Sequence, residues 1–377
     1  MSEERKIILR MLKEGKIDEE EALKLLDAID QKSSDTISEE ELNKSEKKLE
    51  NSVNGFVTKI LDGVESVFIK AGDAINDIDL DLSEISYEFS NKRGRVNNVI
   101  EITEIKESVN FNIQNKNGKV ELKPWDRNHI EIYATIRFNE KELRGSENFV
   151  LYKKEGINHL VGINPDIDMS NYNVKFEIRA PRESINDLIV NNTNAKIEIK
   201  YLNLHNVELN TTNAKIELDG IFANNLVVNT SNAKIELNSI EANKIDTNST
   251  NAKIELNDVS SDSIDVNTTN GKILLLRIDS ESIIASNTNG AIQSSLLGSK
   301  ARHIDLTSTN GGIYLENVDF NKSVKAVLNG RDNGTISPSL IKSNEGDNLY
   351  YTDDYDENAS DKLDIILSTT LGKISVI

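Results

Sequence analysis

The chain has 377 residues, no cysteine and a formal net charge of −19, from 44 lysines and arginines against 63 aspartates and glutamates. The absence of cysteine excludes a disulfide framework, a thiolate metal site and a cysteine nucleophile, and the negative charge argues against binding nucleic acid through its phosphates. No apolar run has the length of a membrane span. The first residues are charged rather than signal-like. We therefore expect a cytoplasmic protein, with membrane association or surface exposure by a non-classical route as the open alternative.

Residues 1–32 are predicted to form a helical hairpin. Its first helix has apolar pairs four residues apart and stops near Gly15, and its second begins at Asp18 with Glu21 in the capping-box position. Two short helices bury little surface by themselves. We therefore expect this module to dock on a protein partner or to associate with itself.

Residues 33–82 are predicted to be a polar linker followed by an amphipathic helix. Spacings of four and three separate its apolar residues: Val53, Val57, Ile60, Val64, Val67 and Ala71. This heptad pattern favours a helix that caps one end of the following domain. A membrane-surface helix or a coiled coil is the alternative, but internal glycines and a charge that is not predominantly basic count against the membrane.

Residues 83–377 are predicted to form a parallel β-solenoid, which makes the chain mainly β. The pattern is most regular at 188–318, where a motif recurs every 19 residues from Asn194, Asn213, Asn232, Asn251, Asn270 and Asn289, with a looser copy at Asn310. Apolar residues lie three, five and eight positions after each asparagine and six before it, except that Ser294 takes the place five after Asn289. Alternation within NAKIEL is typical of a strand with one buried face, and the repeat is shorter than the roughly 30 residues of a βαβ unit. Each repeat should therefore form one coil of strands and turns.

Polar residues also recur at fixed positions of the coil. The asparagines predict corners with left-handed backbone geometry and amides that hydrogen-bond from coil to coil. Lysine and glutamate columns should face outward and offset each other diagonally. A hydroxyl column precedes the asparagines: Thr193, Thr212, Ser231, Thr250, Thr269, Thr288 and Thr309. Such a column can bind ice or glycans, although its place in a corner favours a structural role.

The coil template returns outside the regular region. Asn117 begins an early copy, in which Val120 and Leu122 take the first apolar places and Ile130 and Ile132 the later ones. Irregular coils with insertions are expected at 134–187. Near the end of the chain, Leu371 takes the asparagine place after a polar loop at about 343–361.

No catalytic, cofactor or metal site is predicted. A polysaccharide-cleaving β-helix would need an aspartate cluster with a nearby base that breaks the repeat on one face, whereas these coils carry the same residues at each level. The four histidines fall at unrelated positions of the repeat: His129, His159, His205 and His303. Two acidic runs stay open as calcium ligands, although solvated acidic segments are commoner: Asp77, Asp79, Asp81, and Asp353, Asp354, Asp356, Glu357.

Two stretches carry a family resemblance. MLKEGKIDEEEALKLLDAI at Met11–Ile29 resembles the short helical, SHOCT-like module of the LiaX/YvlB family of bacterial proteins. NGKVELKPWDRNHIEIYATI at Asn117–Ile136 and the NAKIEL coils resemble the adhesin-type β-solenoid domain that follows that module. The asparagine columns are more regular here than in the family pattern.

The resemblance implies a function rather than a reaction. It suggests a non-catalytic scaffold or binding protein in bacterial cell-envelope stress sensing or regulation. The N-terminal helices would bind a protein partner, and an envelope or membrane-associated component is a further expected partner. The alternatives are a surface adhesin or glycan-binding solenoid and, more remotely, a polysaccharide-cleaving β-helix enzyme.

Overall fold

The computed structural model describes residues 94–102, 107–138, 150–164, 173–296 and 298–377. All of them belong to the compact unit Ser90–Ile377. The hairpin expected at 1–32, the linker and helix expected at 33–82 and the acidic run at Asp77 lie outside the described residues.

Every regular element in these ranges is a β-strand, and 23 strands form one sheet in which most neighbours are parallel. The first strands are β1 (Gly94–Ile102), β2 (Val109–Gln114), β3 (Val120–Pro124), β4 (Ile130–Phe138), β5 (Val150–Glu155), β6 (Asn158–Ile163) and β7 (Asn173–Ala180). The regular coils contain β8 (Ile185–Asn191), β9 (Ile197–Lys200), β10 (Asn206–Thr211), β11 (Ile216–Thr230), β12 (Ile235–Ser249), β13 (Ile254–Thr268), β14 (Ile273–Asn287), β15 (Ile292–Leu296), β16 (His303–Ser308) and β17 (Ile313–Glu316). The last strands are β18 (Val324–Asn329), β19 (Asp332–Ile336), β20 (Ile341–Lys342), β21 (Leu349–Tyr351), β22 (Leu363–Thr369) and β23 (Lys373–Val376).

Successive regular coils pair in parallel with the offset of the sequence repeat. Ile216 lies beside Ile235, which lies beside Ile254. Ile235 and Leu237 are both 0% exposed, and the other apolar rows of the repeat are buried in the same core. Each such side chain contributes roughly 1.5–3 kcal/mol by leaving water. The sequence prediction of a solenoid with inward apolar rows is confirmed.

Each long strand bends at fixed positions. The pairing of β11 with β12 skips Gly220 opposite Ser239, where the strand turns. Gly220 has a φ of 64° and Ser239 a φ of 54°. The same position of other coils has positive φ in Tyr201, Asp258, Arg277 and Asn317. The left-handed corner therefore lies seven residues after the repeat asparagine, and the prediction that the asparagines themselves are left-handed is wrong.

Glycine follows the later repeat asparagines because neighbouring coils approach each other closely there. A Cβ added at Gly271 would lie 1.8 Å from the carbonyl oxygen of Ala252 in the preceding coil. A Cβ added at Gly311 would likewise lie 1.7 Å from the carbonyl oxygen of Gly290. Glycine is needed here for close approach between coils, and not for a positive φ.

The coils do not stack in the order of the sequence at either end. β2 and β3 pair on one side with β8 and β9, and on the other with β6 and β7. The first coil of the chain therefore lies between the second and the third. At the other end, β22 lies between β16 and β18, and β23 lies between β17 and β19.

Antiparallel strands cover the outermost coils. β4 runs antiparallel to β7, β1 to β4, and β5 to β6, while β21 runs antiparallel to β18. Ile130 and Ile132 are fully buried, as their place in the template predicted. Their strand β4 nevertheless turns back instead of continuing a parallel coil, so the template of the Asn117 coil holds only through β3.

Candidate functional site

The repeat asparagines form an amide ladder along one corner of the solenoid. In each rung, the Nδ2 group of one asparagine donates to the Oδ1 atom of the asparagine in the neighbouring coil, at 2.6–2.9 Å. The ladder consists of Asn117, Asn194, Asn213, Asn232, Asn251, Asn270, Asn289 and Asn310. All but Asn117 are exposed. Apart from Asn117, each amide keeps a second N–H group and a lone pair for an external partner. The predicted coil-to-coil amide bonds are thus confirmed.

The hydroxyl column runs beside the amide ladder, in the same corner. Its backbone is part of the fold, since Asn232 N donates to Thr212 O at 2.9 Å and Asn270 N to Thr250 O at 2.9 Å. Most of its side chains are exposed. Within the described part of the chain, none of these hydroxyls has a hydrogen bond to another protein group. The hydroxyls are therefore left to solvent or to a ligand.

A buried polar column lies beneath this corner, two residues before each asparagine, and the sequence analysis missed it. Asn192 Nδ2 donates to Ala195 O at 2.6 Å. Ser308 Oγ accepts from Gly311 N at 2.9 Å and donates to Gly290 O at 3.2 Å. At Asn192 and Ser308 such bonds tie the turn to its own coil and to the neighbouring one, whereas Thr230 Oγ1 has no partner among the described residues. A polar residue that recurs with the repeat at an inward position is the signal that predicts such a column.

A second ladder, three residues before the first, stops in the middle of the solenoid. It joins Asn191, Asn210, Asn229 and Asn248 at 2.9–3.1 Å. Asn267 donates instead to Asp265 Oδ1 at 2.8 Å, and Ser286 takes the place of the next asparagine.

An open groove of about 230 Å³ lies where the second ladder stops. We call it the polar groove; its lining consists of Asn248, Ser249, Asn267, Thr268, Thr269, Ser286, Asn287 and Thr288. Every lining side chain is a hydroxyl or a carboxamide. The groove can therefore exchange hydrogen bonds with a ligand, but it holds no group suited to proton transfer near neutral pH.

A ladder of lysine and glutamate covers the outer side of the NAKIEL strands. Lys215 contacts Glu217 at 2.6 Å in its own coil and Glu236 at 2.8 Å in the next. The same bridge recurs at Lys119, Lys196 and Lys234. The diagonal offset predicted for these columns is confirmed. The ladder ends at Lys253, because Leu274 replaces the next glutamate.

These contacts fix the ionisation of the glutamates. Hydrogen bonds from Lys215 and Lys234 lower the pKa of Glu236 to about 2. Burial acts to raise the pKa of Glu198, but hydrogen bonds from Lys119 and Lys200 outweigh it and the pKa falls to about 2. Carboxyl groups with such values stay ionised near neutral pH and are poor proton donors there.

The histidines remain apart in the structure. His159 is buried against Phe111 and accepts or donates at 2.8 Å with the Tyr152 hydroxyl. His205 lies at the surface, 3.6 Å from Asp187, and His303 begins β16. In the ranges that the structure describes, no three His, Cys, Asp or Glu side chains converge on a common point, and this includes the exposed run from Asp353 to Glu357. Within the same ranges, no helix reaches the length and hydropathy needed to cross a membrane.

Crystal structures with low sequence identity are similar to parts of the chain. A "putative lipid binding protein" from Parabacteroides distasonis has 12% identity and a TM-score of 0.43, and the match covers 74% of this chain and 97% of that one. A "putative cell adhesion protein" from Clostridium sporogenes has 12% identity and a TM-score of 0.19, with 75% and 98% covered. A "putative adhesin" from Parabacteroides merdae has 13% identity and a TM-score of 0.36, with 59% and 96% covered. No curated protein matches the sequence.

Two sequence families match the chain. Residues 3–34 match the SHOCT-like domain. Residues 75–348 match the Toastrack DUF4097 family. Since this second match spans more than half of the 377 residues, the protein belongs to the Toastrack DUF4097 family.

Proposed function

We propose that the protein is a non-catalytic binding scaffold that acts in bacterial cell-envelope stress sensing. Its solenoid presents fixed rows of side chains, and its N-terminal residues 1–32 capture a protein partner. The observation that carries this proposal is the unbroken amide ladder, which runs through eight asparagines from Asn117 to Asn310. A surface that repeats the same groups at each coil suits the binding of an extended ligand better than the chemistry of one small substrate.

The charged groups of the solenoid support a non-catalytic role. The carboxylate of Glu236 is paired with Lys215 and Lys234, and its pKa of about 2 keeps it ionised. A general acid or base works best with a pKa near the operating pH. The lysine and glutamate ladder therefore contributes to stability rather than to proton transfer.

The fixed side chains also favour binding. Hydrogen bonds between coils hold each ladder asparagine in one orientation before any ligand arrives. A ligand then does not have to order these groups, and less conformational entropy is lost on association.

The partner-binding role is assigned to residues 1–32, because they match a domain type that is too small to bury a large core of its own.

A surface adhesin or glycan-binding solenoid is the second candidate. The polar groove favours it, since carboxamides and hydroxyls are the groups that exchange hydrogen bonds with sugars. Both candidates require binding without turnover, and they differ in whether the main ligand is a protein or a glycan.

The test compares the full chain with a variant that lacks residues 1–32. Both are incubated with a bacterial envelope fraction, and bound proteins are identified after cross-linking. We expect the same proteins to be enriched repeatedly by the full chain and lost from the truncated chain, while the circular dichroism and melting of the solenoid stay unchanged. Turnover of a polysaccharide by the full chain, abolished by mutation of one acidic cluster, would overturn the non-catalytic assignment.

A further inference from the structure

The polar groove lies where the second ladder ends. Up to Asn248 every position of that ladder is an asparagine bonded to its neighbour. At Ser286 the side chain ends in a hydroxymethyl group, and no carboxamide fills the space. The open groove beside it has a volume of about 230 Å³, which leaves room for a sugar ring with its hydroxyl groups.

The groove contains hydrogen-bonding groups that the fold leaves unused. Asn248 donates to Asn229 and to Asp246, and Asn267 donates to Asp265. Among the described residues, no group donates to the Oδ1 atom of Asn248 or of Asn267. The hydroxyls of Thr269 and Thr288 are exposed at the other wall. The lining of one groove therefore offers both free acceptors and exposed hydroxyls, which suits a ligand rich in hydroxyl groups.

The floor of the groove is held in place by the fold. Thr268 Oγ1 donates to Ala252 O at 3.3 Å and accepts from Gly271 N at 3.3 Å. Asn287 Nδ2 donates to Gly271 O at 3.1 Å. Both floor side chains are buried and already have partners. The groove is thus formed before a ligand binds, and its walls rather than its floor meet the ligand.

Charge and polarity narrow the class of ligand. No lining side chain is ionisable, and the nearest charged partners of the lining amides are the carboxylates of Asp246 and Asp265. An anionic ligand would be repelled by these two groups and by the net charge of −19. An apolar ligand would leave the carboxamide oxygens of Asn248 and Asn267 without water or a partner, which costs free energy.

We infer that the polar groove binds a neutral glycan, with one sugar unit in the groove and the chain continuing along the hydroxyl column and the amide ladder. This inference rests on the proposed function, in which the solenoid binds without turnover. A single shallow site without an aromatic platform gives weak affinity. Neighbouring units of the same polymer raise the apparent affinity by multivalency, commonly by 10²–10⁴. Polymers should therefore bind far more tightly than short oligosaccharides of the same sugar.

The decisive variant is Ser286→Asn. It places in the groove the residue that the chain itself uses at earlier levels of this column, so the coil should accept it and the second ladder can extend. The full-length protein is tested by affinity electrophoresis and calorimetry against soluble amylose, a β-glucan and chitin oligomers, with alginate as an anionic probe. We expect at least one neutral glycan to bind, alginate not to bind, and the substitution to weaken binding at least tenfold.

Thr307→Asn is the matched control. It makes the same kind of change in the same column, one coil beyond the groove, and should leave glycan binding unchanged. A double variant, Thr269→Val with Thr288→Val, removes two wall hydroxyls without filling the groove and should weaken binding several-fold. It also serves as the test if Ser286→Asn does not fold.

Several results would overturn the inference. These are the absence of binding to every neutral glycan, equal binding of alginate, or wild-type binding by both groove variants. If the native protein captures envelope proteins but binds none of the neutral glycans, the scaffold proposal stands and the groove assignment falls. If a glycan binds and is cleaved, the non-catalytic proposal falls instead.

Discussion

Asn194 Nδ2 donates a hydrogen bond of 2.8 Å to Oδ1 of Asn117, which lies 77 positions earlier in the chain. The coil of β6 and β7 comes between these two residues in sequence but not in space. It lies on the far side of the Asn117 coil. The second coil in the sequence therefore stacks on one side of the first coil. The third coil stacks on the opposite side of the first, and the solenoid continues from there.

This order of coils can be tested by cross-linking, because the protein has no native cysteine. Adjacent coils are about 4.8 Å apart, within the Cα separation of roughly 4.4–6.8 Å that a disulfide requires. The double variant Asn117→Cys with Asn194→Cys should form an intramolecular disulfide under mild oxidation, detected by mass spectrometry after digestion. If coils stacked in sequence order, a whole coil would separate these positions and the disulfide would not form. Asn194→Cys with Asn232→Cys, two coils apart, is the pair that should stay reduced.

The sequence predicts the regular coils well because the repeat period itself determines the register. Ile216, Ile235 and Ile254 share one position of the repeat and one row of the core. The order of the end coils is not predictable in this way. Strand β3 alternates apolar and polar residues whether its neighbour is β7 or β9, and both neighbours present the same kind of buried row. Only the lengths of the intervening segments differ, and they do not specify which coil lies outside.

The candidate site was predictable in part for the same reason. The amide ladder and the hydroxyl column follow from the repeat, since each position keeps one type of residue. The left-handed corner is occupied by Tyr201, Gly220, Ser239, Asp258 and Arg277, which share no chemistry, so its position is hidden in the sequence. The polar groove lies where the second ladder ends, at Asn267 and Ser286, and it is visible only when the neighbouring column and the buried floor are placed in space.

The inward and outward rows predict different responses to substitution. Ile235→Lys places a charge where the side chain is 0% exposed, and the uncompensated burial should cost several kcal/mol and unfold or fray the coils. Glu236→Gln, one residue later, removes ion pairs at the surface and should cost about 1 kcal/mol or less. Thermal melting followed by circular dichroism compares the two. Similar melting temperatures would contradict the assignment of the two rows.

The left-handed corner predicts that substitution by glycine has opposite effects on stability at two positions of the same coil. Ser239 has a φ of 54°, so Ser239→Gly should be neutral or stabilise the protein by up to about 1 kcal/mol, and Ser239→Val should destabilise it by more than that. Asn232 has no positive φ and bonds to both neighbours in the ladder. Asn232→Gly should therefore destabilise the protein. Chemical denaturation of the three variants measures the differences in stability. If Asn232→Gly stabilised the protein, the left-handed corner would lie at the asparagine and not at Ser239.

The lysine and glutamate ladder predicts a loss of stability in acid. Hydrogen bonds from Lys215 and Lys234 hold the pKa of Glu236 at about 2, below its usual value of 4.5, and Glu198 behaves in the same way. Because the folded state binds these protons less readily than the unfolded chain, the stabilisation is complete above about pH 4.5 and is lost as the pH falls towards 2. Melting temperatures measured between pH 6 and pH 2 should therefore drop across this window. Glu236→Gln should reduce the drop, whereas Glu241→Gln, which changes an exposed carboxylate outside the ladder, should leave it unchanged. An equal acid response in both variants would mean that the ladder does not contribute to the pH dependence.

High salt gives an independent check of the ladder. It should lower the melting temperature of the native protein at pH 6 more than that of Glu236→Gln, since screening weakens only the ion pairs that are still present.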